Sequence, residues 1–335
     1  MSLVARALAA AALVGCAAPE HHGPAESVSF TLENDSLVGS DNSYTSGVAL
    51  TWVSKEVGSY GPDSFAEGLV DVASVLPYVG APGYETRVAV TIAQEMYTPQ
   101  DVTDPTPRRG DQPYAGVLFL QPAFHASRGG VRHSWRLRLG VVGPASLADE
   151  SQMLVHRLTN AEQPEGWDTQ LPNEPVINVD YDVAQEVAGG DFDDGARWRL
   201  VPVGTLGAGT YFTGAGGALY GEVGWDLPDA GGLVSVRRGL RPFTAVGNGY
   251  RGDFSFSAFA GVGGFAVGHY LPLDGTVFRD SRSVESEPFV GFASAGAALR
   301  SGRLVVSLLF TALTDGFEDQ PSDSEFGTLT LSLSL

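Results

Sequence analysis

Cysteine is all but absent. The single thiol is Cys16, which leaves no disulfide framework and no thiolate cage for a metal. Basic side chains are also scarce: Lys and Arg number 20 against 39 Asp and Glu, for a net charge of −19. That balance excludes a surface built to hold nucleic-acid phosphates, which needs a cationic surplus. It does not exclude an anionic lipid, because divalent cations bridge two acidic partners. Charged residues make up only 18% of the chain, fewer than a typical soluble domain carries. No apolar run reaches the roughly 18 residues of a spanning helix. Two catalytic signatures are missing as well. No Gly-x-Ser-x-Gly elbow surrounds Ser36, Ser43 or Ser46, and no two histidines stand at the helical i, i+4 spacing of a zinc site.

What is present begins with a leader. Arg6 precedes the apolar stretch Ala7 to Val14, and Leu13-Val14-Gly15-Cys16 resembles the bacterial lipobox. Residues 1–15 therefore read as a signal peptide with Cys16 as the lipidated residue, 16–26 as a polar spacer, and 27–335 as the folded domain. From Val28 onward the chain is a succession of alternating apolar and polar runs, the pattern of half-buried strands. They are Val28–Glu33, the run through Trp52, Arg87–Met96, Tyr114–Ser127, Val131–Val142, Val176–Val187, Ala196–Gly209 and Gly214–Trp225. Phe254–Val267, Glu285–Leu299, Leu304–Leu313 and Phe326–Leu335 complete the series. Asp63–Leu76 reads as a short helix, and Pro228–Tyr250 as an irregular connection. Several runs exceed the 9–11 or so residues that a tilted strand needs to cross a bilayer. About twelve long strands in an exported, charge-poor chain predict an all-β fold, a closed antiparallel transmembrane barrel. Closure leaves no unpaired edge in lipid. A soluble β-sandwich is the competing architecture. Gly261, Gly263, Gly264 and Gly268 mark either sharp curvature or close contact with an inner element.

One stretch breaks the pattern. Between Gly143 and Trp167, Leu147, Leu154, Val155 and Leu158 recur at helical spacing. Asp149 and Glu150 suit a helix N-terminus, and Pro164 stops the run. The helix carries His156, and Glu162 follows its end. Six residues turn a helix through about 600°, so these two side chains would point about 120° apart. They share a site only if the helix unwinds near Asn160. The plainer reading is a surface helix with a solvated His and a solvated Glu.

Several motifs appear in a particular order: Glu33-Asn34-Asp35, Tyr44-Thr45-Ser46-Gly47, Gln94-Glu95-Met96-Tyr97-Thr98-Pro99, and Gly110-Asp111-Gln112-Pro113-Tyr114-Ala115-Gly116. Gly140-Val141-Val142-Gly143-Pro144, His156-Arg157, Asn160-Ala161-Glu162, and the stretch from Leu273 to Val284 follow. In this order they resemble the outer-membrane lipid A 3′-O-deacylase family, and they cover nearly the whole exported chain. The resemblance implies a twelve-stranded outer-membrane barrel that cleaves the 3′ acyloxyacyl group of lipopolysaccharide with calcium. It places His156 as the general base, Glu162 as the carboxylate near it, Asn34 and Asp35 as a polar pair ending the first strand, and Thr45 as a hydroxyl on the second. One position departs. Where the family has a lysine shortly after the Tyr-Ser/Thr-Pro motif, this chain reads Val102-Thr103-Asp104.

The chemistry of the residues agrees. Ester hydrolysis needs an activated water, a base working near neutral pH and a stabilised oxyanion. Histidine is the side chain suited to the base, and Glu162 could orient its ring as the third member of a triad does. Asn34 and Asp35 offer the hard oxygens that calcium prefers, with Asp35 as the metal ligand, although both residue types also favour plain turns. The remaining histidines form no metal pair: His21 and His22 lie in the spacer, His125 and His133 flank a hairpin, and His269 ends a strand. Asp111 and Tyr114 read as loop structure. The sequence thus predicts an outer-membrane esterase acting on lipid A, with no nucleic-acid partner. A catalytically silent barrel with a structural or envelope-binding role is the alternative, and a diffusion porin fits less well.

Overall fold

The structure is a computed structural model that describes residues 26–35, 44–58, 64–159, 161–227, 252–320 and 324–335. The leader, Cys16 and the stretch read as an irregular connection (228–250) lie outside the described residues. Strands form where the alternation predicted them: β1 (Ser27–Asn34), β2 (Tyr44–Val53), β3 (Glu85–Tyr97), β4 (Ala115–Arg128), β5 (Val131–Val142) and β6 (Glu174–Gln185). A short β7 (Ala188–Asp191) precedes β8 (Ala196–Gly209), β9 (Phe212–Trp225), β10 (Phe254–Tyr270), β11 (Phe289–Ser301), β12 (Leu304–Leu313) and β13 (Ser324–Ser334). Each long strand pairs antiparallel with its sequence neighbour, and β1 pairs with β13 from Ser27↔Ser334 to Asn34↔Gly327. The ring closes where β6 meets β8, Asn178↔Gly209 through Ala184↔Val203, and β7 continues the line of β6 along the same edge of β8, Ala188↔Leu200 through Asp191↔Arg197. The result is a closed antiparallel barrel of twelve wall strands, which satisfies every ladder without an edge.

Two differences from the sequence reading have a local cause. The strand expected from Glu285 starts only at Phe289, because Pro288 has no N–H to donate. Residues 286 and 287 pair instead with Phe317 and Gly316 across the loop. β7 escaped the sequence reading because four residues, two of them glycine, carry too little alternation to detect.

Side chains alternate across the wall. On β1, Ser29, Thr31 and Glu33 are buried in the lumen while Phe30 faces out, and Leu50, Ile92 and Leu120 continue that outer apolar band. Trp52, Tyr78, Tyr84, Trp135 and Tyr181 gather where β2 ends and β5 begins, as in the aromatic girdle of a membrane interface. The lumen is filled. Tyr97 on β3 and Tyr270 on β10, on opposite sides of the ring, hydrogen-bond hydroxyl to hydroxyl at 3.0 Å. Tyr97 (3.0 Å) and Tyr211 (2.5 Å) both donate to the buried carboxylate of Glu95. Arg138 lies 3.5 Å from that carboxylate and stacks over the Tyr211 and Phe119 rings. A lumen bridged in this way is not a diffusion pore.

Of the β10 glycines, Gly261 lies against a side chain, whereas Gly263, Gly264 and Gly268 have neighbouring backbone nearest. A Cβ on Gly261 would come within 2.3 Å of the Tyr220 ring, so the glycine lets that ring lie flat against the wall.

Among the described residues, three α-helices decorate the barrel: α1 (Phe65–Ala73), α2 (Ala148–Thr159) and the single turn α3 (Leu271–Asp274). The even strand number puts Ser27 and Ser334 at the same end. α1 lies at that end, and α2 and α3 lie at the other.

A candidate active site between the barrel wall and a helix

Every residue singled out for chemistry sits at the end opposite Ser27. The register draws a row across four strands there: Asn34↔Ser46, Ser46↔Met96 and Met96↔Gly116. Thr45 falls within the register shift between Tyr44 and Ser46, a bulge in β2, the device that re-aims a side chain at a strand end. Its side chain lies outside the described residues. Asp35 follows β1 and is 3% exposed, and Asn34 is half-buried.

On the outer side of this row lies α2. The main-chain N–H of Gly143, which has φ +98°, donates to the Gly116 carbonyl at 2.9 Å. The Gln94 side-chain amide donates to the Ser146 carbonyl at 2.6 Å. Met96, Tyr114, Ala148 and Trp167 form a buried apolar cluster, and the Trp167 indole N–H donates to the Gln152 side chain at 2.7 Å. Gly116 is the hinge of this docking. A Cβ there would stand 2.2 Å from Ser146 Oγ and 2.3 Å from Ala148 Cβ, neither of which has a flexible tail that could yield.

The residues of the recognised motifs thus acquire physical roles. In Gln94–Tyr97, alternate side chains serve opposite faces: Gln94 and Met96 seat the helix, and Glu95 and Tyr97 fill the lumen. The stretch after α3 holds the loops together. Glu174 accepts from the Val277 and Phe278 N–H groups at 2.7 and 2.8 Å, and Arg282 donates to the Pro107 and Arg108 carbonyls at 2.9 and 3.0 Å. Asp111 accepts from the backbone of Gln100 and Gln112, and the Tyr114 hydroxyl donates to the Val102 carbonyl, both loop-shaping contacts. Asp104, where the resembled family has lysine, caps the Thr106 N–H at 2.7 Å. It therefore shapes a turn.

α2 packs on β4 and β3, with Ala148 set against Gly116 of β4. Ala148, Gln152 and His156 share one side at i, i+4 spacing. Ala148 and Gln152 are buried against the wall and His156 is half-buried.

The structure brings His156 and Glu162 together differently from the triad expectation. The helix ends at Thr159, and the Ala161 N–H donates back to the His156 carbonyl at 3.0 Å. This tight reversal delivers the main-chain carbonyl of Glu162 to His156 Nδ1, while the Glu162 residue itself is exposed. A carbonyl oxygen only accepts, so in the neutral ring Nδ1 carries the proton and Nε2 is the acceptor. Asn160, where unwinding was anticipated, lies outside the described residues.

The rim also holds an acidic cleft of about 650 Å³ between residues 100–111, 284–285 and 318–319. There the Glu285 carboxylate beside Glu318 raises the Glu318 carboxyl above its usual range.

Sequence reasoning named His156, Asn34, Asp35, Thr45 and Glu162 but overlooked Gly116, Gln152 and Trp167. Gly116 lay in plain view inside the Tyr-Ala-Gly motif. Its role is legible only once something is seen packed on it. Gly116→Val is expected to lift α2 from the wall and lower ester hydrolysis about 100-fold, the scale on which a 1 Å misplacement acts. The barrel should keep its heat-modifiable gel migration. A wild-type rate in this variant would show that hydrolysis does not need the helix seated here.

The fold defines a class: an outer-membrane β-barrel with a helix packed on its outer wall. The sequence profile of the family described as "Outer membrane protein LpxR" matches residues 3–335, and the chain belongs to that family, the outer-membrane lipid A 3′-O-deacylases. It is an outer-membrane lipid A deacylase, a carboxylic ester hydrolase. LpxR from Salmonella typhimurium has the same fold, with TM-score 0.72 at 19% identity over 92% of this chain and 100% of that one. The beta domain of the Bordetella autotransporter BrkA aligns over 93% of this chain and 99% of its own, with TM-score 0.45 and 9% identity. No curated protein sequence matches the chain.

Proposed function

We propose that this chain removes an acyl chain from lipid A by water attack, with His156 as the general base. The observation that carries the reading is the hydrogen bond from His156 Nδ1 to the Glu162 carbonyl. It fixes the tautomer in which Nε2 accepts the proton of the attacking water. The carbonyl fills the orienting role given to the third group of a triad. Asn34, Asp35 and Thr45, at the same end of the barrel as α2, supply the polar floor for the ester.

Calcium belongs to the same proposal. Among the described residues no three His, Cys, Asp or Glu side chains converge on a metal position. Asp35 with the neighbouring Asn34 amide and main-chain carbonyls is a hard-oxygen set that fits calcium and not zinc. When bound, the ion would polarise the ester carbonyl as a Lewis acid. The signal peptide and the lipid-modified Cys16 are likewise proposals, supported by the residues of the leader alone.

The test is mass spectrometry of lipid A from cells with and without the chain. The expected result is loss of the mass of the 3′ acyloxyacyl group, abolished by chelator in isolated membranes, restored by added calcium, and lost in Asp35→Ala. An unchanged lipid A spectrum would leave the silent-barrel reading. Full turnover in excess chelator would remove calcium from the mechanism.

A further inference from the structure

Two loops meet over the barrel at the α3 end. Residues 275–288 lead from α3 to β11, and the other loop follows Leu313 and joins β12 to β13. Their meeting is a short antiparallel ladder. The Glu318 N–H donates to the Glu285 carbonyl and the Glu287 N–H to the Gly316 carbonyl, both at 2.9 Å, around the bridge Ser286↔Phe317. One face of the ladder is anchored. Phe317 is buried in the lumen cluster that contains Leu271 and Leu273, and the Ser286 hydroxyl donates to Asp274 at 2.5 Å. Asp274 in turn lies 3.8 Å from the His269 ring. The other face sets Glu285 directly opposite Glu318, with Glu287 and Asp319 close by. Like charges directly opposite each other work against an antiparallel pair, and a ladder this short has little else to hold it. Across the cleft the β3–β4 loop brings Asp101, Asp104 and Asp111, together with Arg108 and Arg109. Among the described residues no ion pair joins a basic side chain to Glu285 or Glu318.

We propose that this ladder is a proton-operated clasp: Glu285 and Glu318 hold the two loops together while they share a proton and part them once both are ionised. The geometry supplies the reason. The Glu318 carboxyl hydrogen-bonds to that of Glu285. Ionised carboxylates only accept, so the bond exists only while one of the two keeps its proton. The Glu285 charge, with smaller contributions from Asp319 and Glu287, holds Glu318 above the ordinary carboxyl range. The sign follows from linkage. A carboxyl raised in the joined loops binds more protons there than in the parted ones. The clasp is therefore at full strength below the ordinary carboxyl range, and is lost as pH rises through the raised value of Glu318. What it restrains is a brace. Arg282, three residues before Glu285, holds the Pro107 and Arg108 carbonyls of the β3–β4 loop, and Val277 and Phe278 donate to Glu174 at the start of β6. The same loop thus spans the mouth from β12–β13 to β3–β4 and β6, and parting the clasp frees one of its three attachments.

The distance between the loops reads the clasp directly. In a Cys16→Ser background, the full chain carrying Asp280→Cys and Asp315→Cys is spin-labelled at both positions, which are exposed. It is placed in phosphatidylethanolamine–phosphatidylglycerol vesicles with a chelator present, so that no divalent ion bridges the carboxylates. The label-to-label distance distribution is then measured by pulsed electron resonance at about pH 4.5 and about pH 8. A narrow distribution at the lower pH that broadens and shifts to longer distance at the higher is the expected result. Glu318→Gln keeps a hydrogen-bonding group without the charge, so its distribution should stay narrow at both. Glu285→Gln should behave in the same way, and heat-modifiable gel migration confirms that each variant has formed its barrel. A wild-type distribution that is the same at the two pH values would overturn the proposal. Broadening that persists in both glutamine variants would also sink it, by assigning the response to another group such as His269. None of these readings needs hydrolysis, so they stand apart from the assignment of His156.

Discussion

His156→Ala abolishes most lipid A deacylation while the barrel still assembles. A general base contributes about 10²–10⁴-fold, or ~3–5 kcal/mol of barrier, and no wall ladder depends on α2. The measurement is initial deacylation rate by mass spectrometry, paired with heat-modifiable gel migration as the control for folding. Glu162→Gln separates two versions of the site. If the carboxylate orients the ring, that change slows turnover; the structure shows the main-chain carbonyl in contact with Nδ1, so the expected effect is small. Restraint of the reversal should matter more than the charge. A wild-type rate in His156→Ala would reduce α2 to a lid.

Arg138→Met is the change expected to cost the barrel most. Arg138 and Glu95 are both essentially inaccessible, and removing one member of a buried ion pair leaves an uncompensated charge, at about 3–5 kcal/mol. Glu95 would retain the hydroxyls of Tyr97 and Tyr211, which soften the loss without replacing the cation. The double variant Glu95→Gln/Arg138→Met should recover much of the deficit, because the stranded charge is then gone. Urea unfolding in lipid vesicles, followed by the shift from folded to unfolded gel mobility, measures both. A double variant as unstable as the single would show that packing of Arg138 between Tyr211 and Phe119, rather than charge, is what the lumen needs.

The two outcomes draw on parts of the chain that differ in how readily they are read. Strand number, the presence of α2 and the residue at its far end are local properties. An alternation of period two and a helical period of 3.6 are written in consecutive residues, and His156 is conspicuous as a histidine on the helix that interrupts the β pattern. The family-like motifs were legible for the same reason, as short runs in fixed order. The rest depends on which residues closure places side by side. Tyr97 and Tyr270, separated by 173 positions, meet only because the ring sets β3 opposite β10. Gly116 matters because α2 lands on it, and its own neighbours in sequence say nothing of that. The sequence could specify that leucines recur along α2, but not that Leu154 and Leu158 would stay exposed while Ala148 and Gln152 meet the wall. Likewise it named Glu162 by its side chain, whereas the folded chain contributes its carbonyl, since a backbone group's partner is decided by the path of the turn and not by the residue it belongs to.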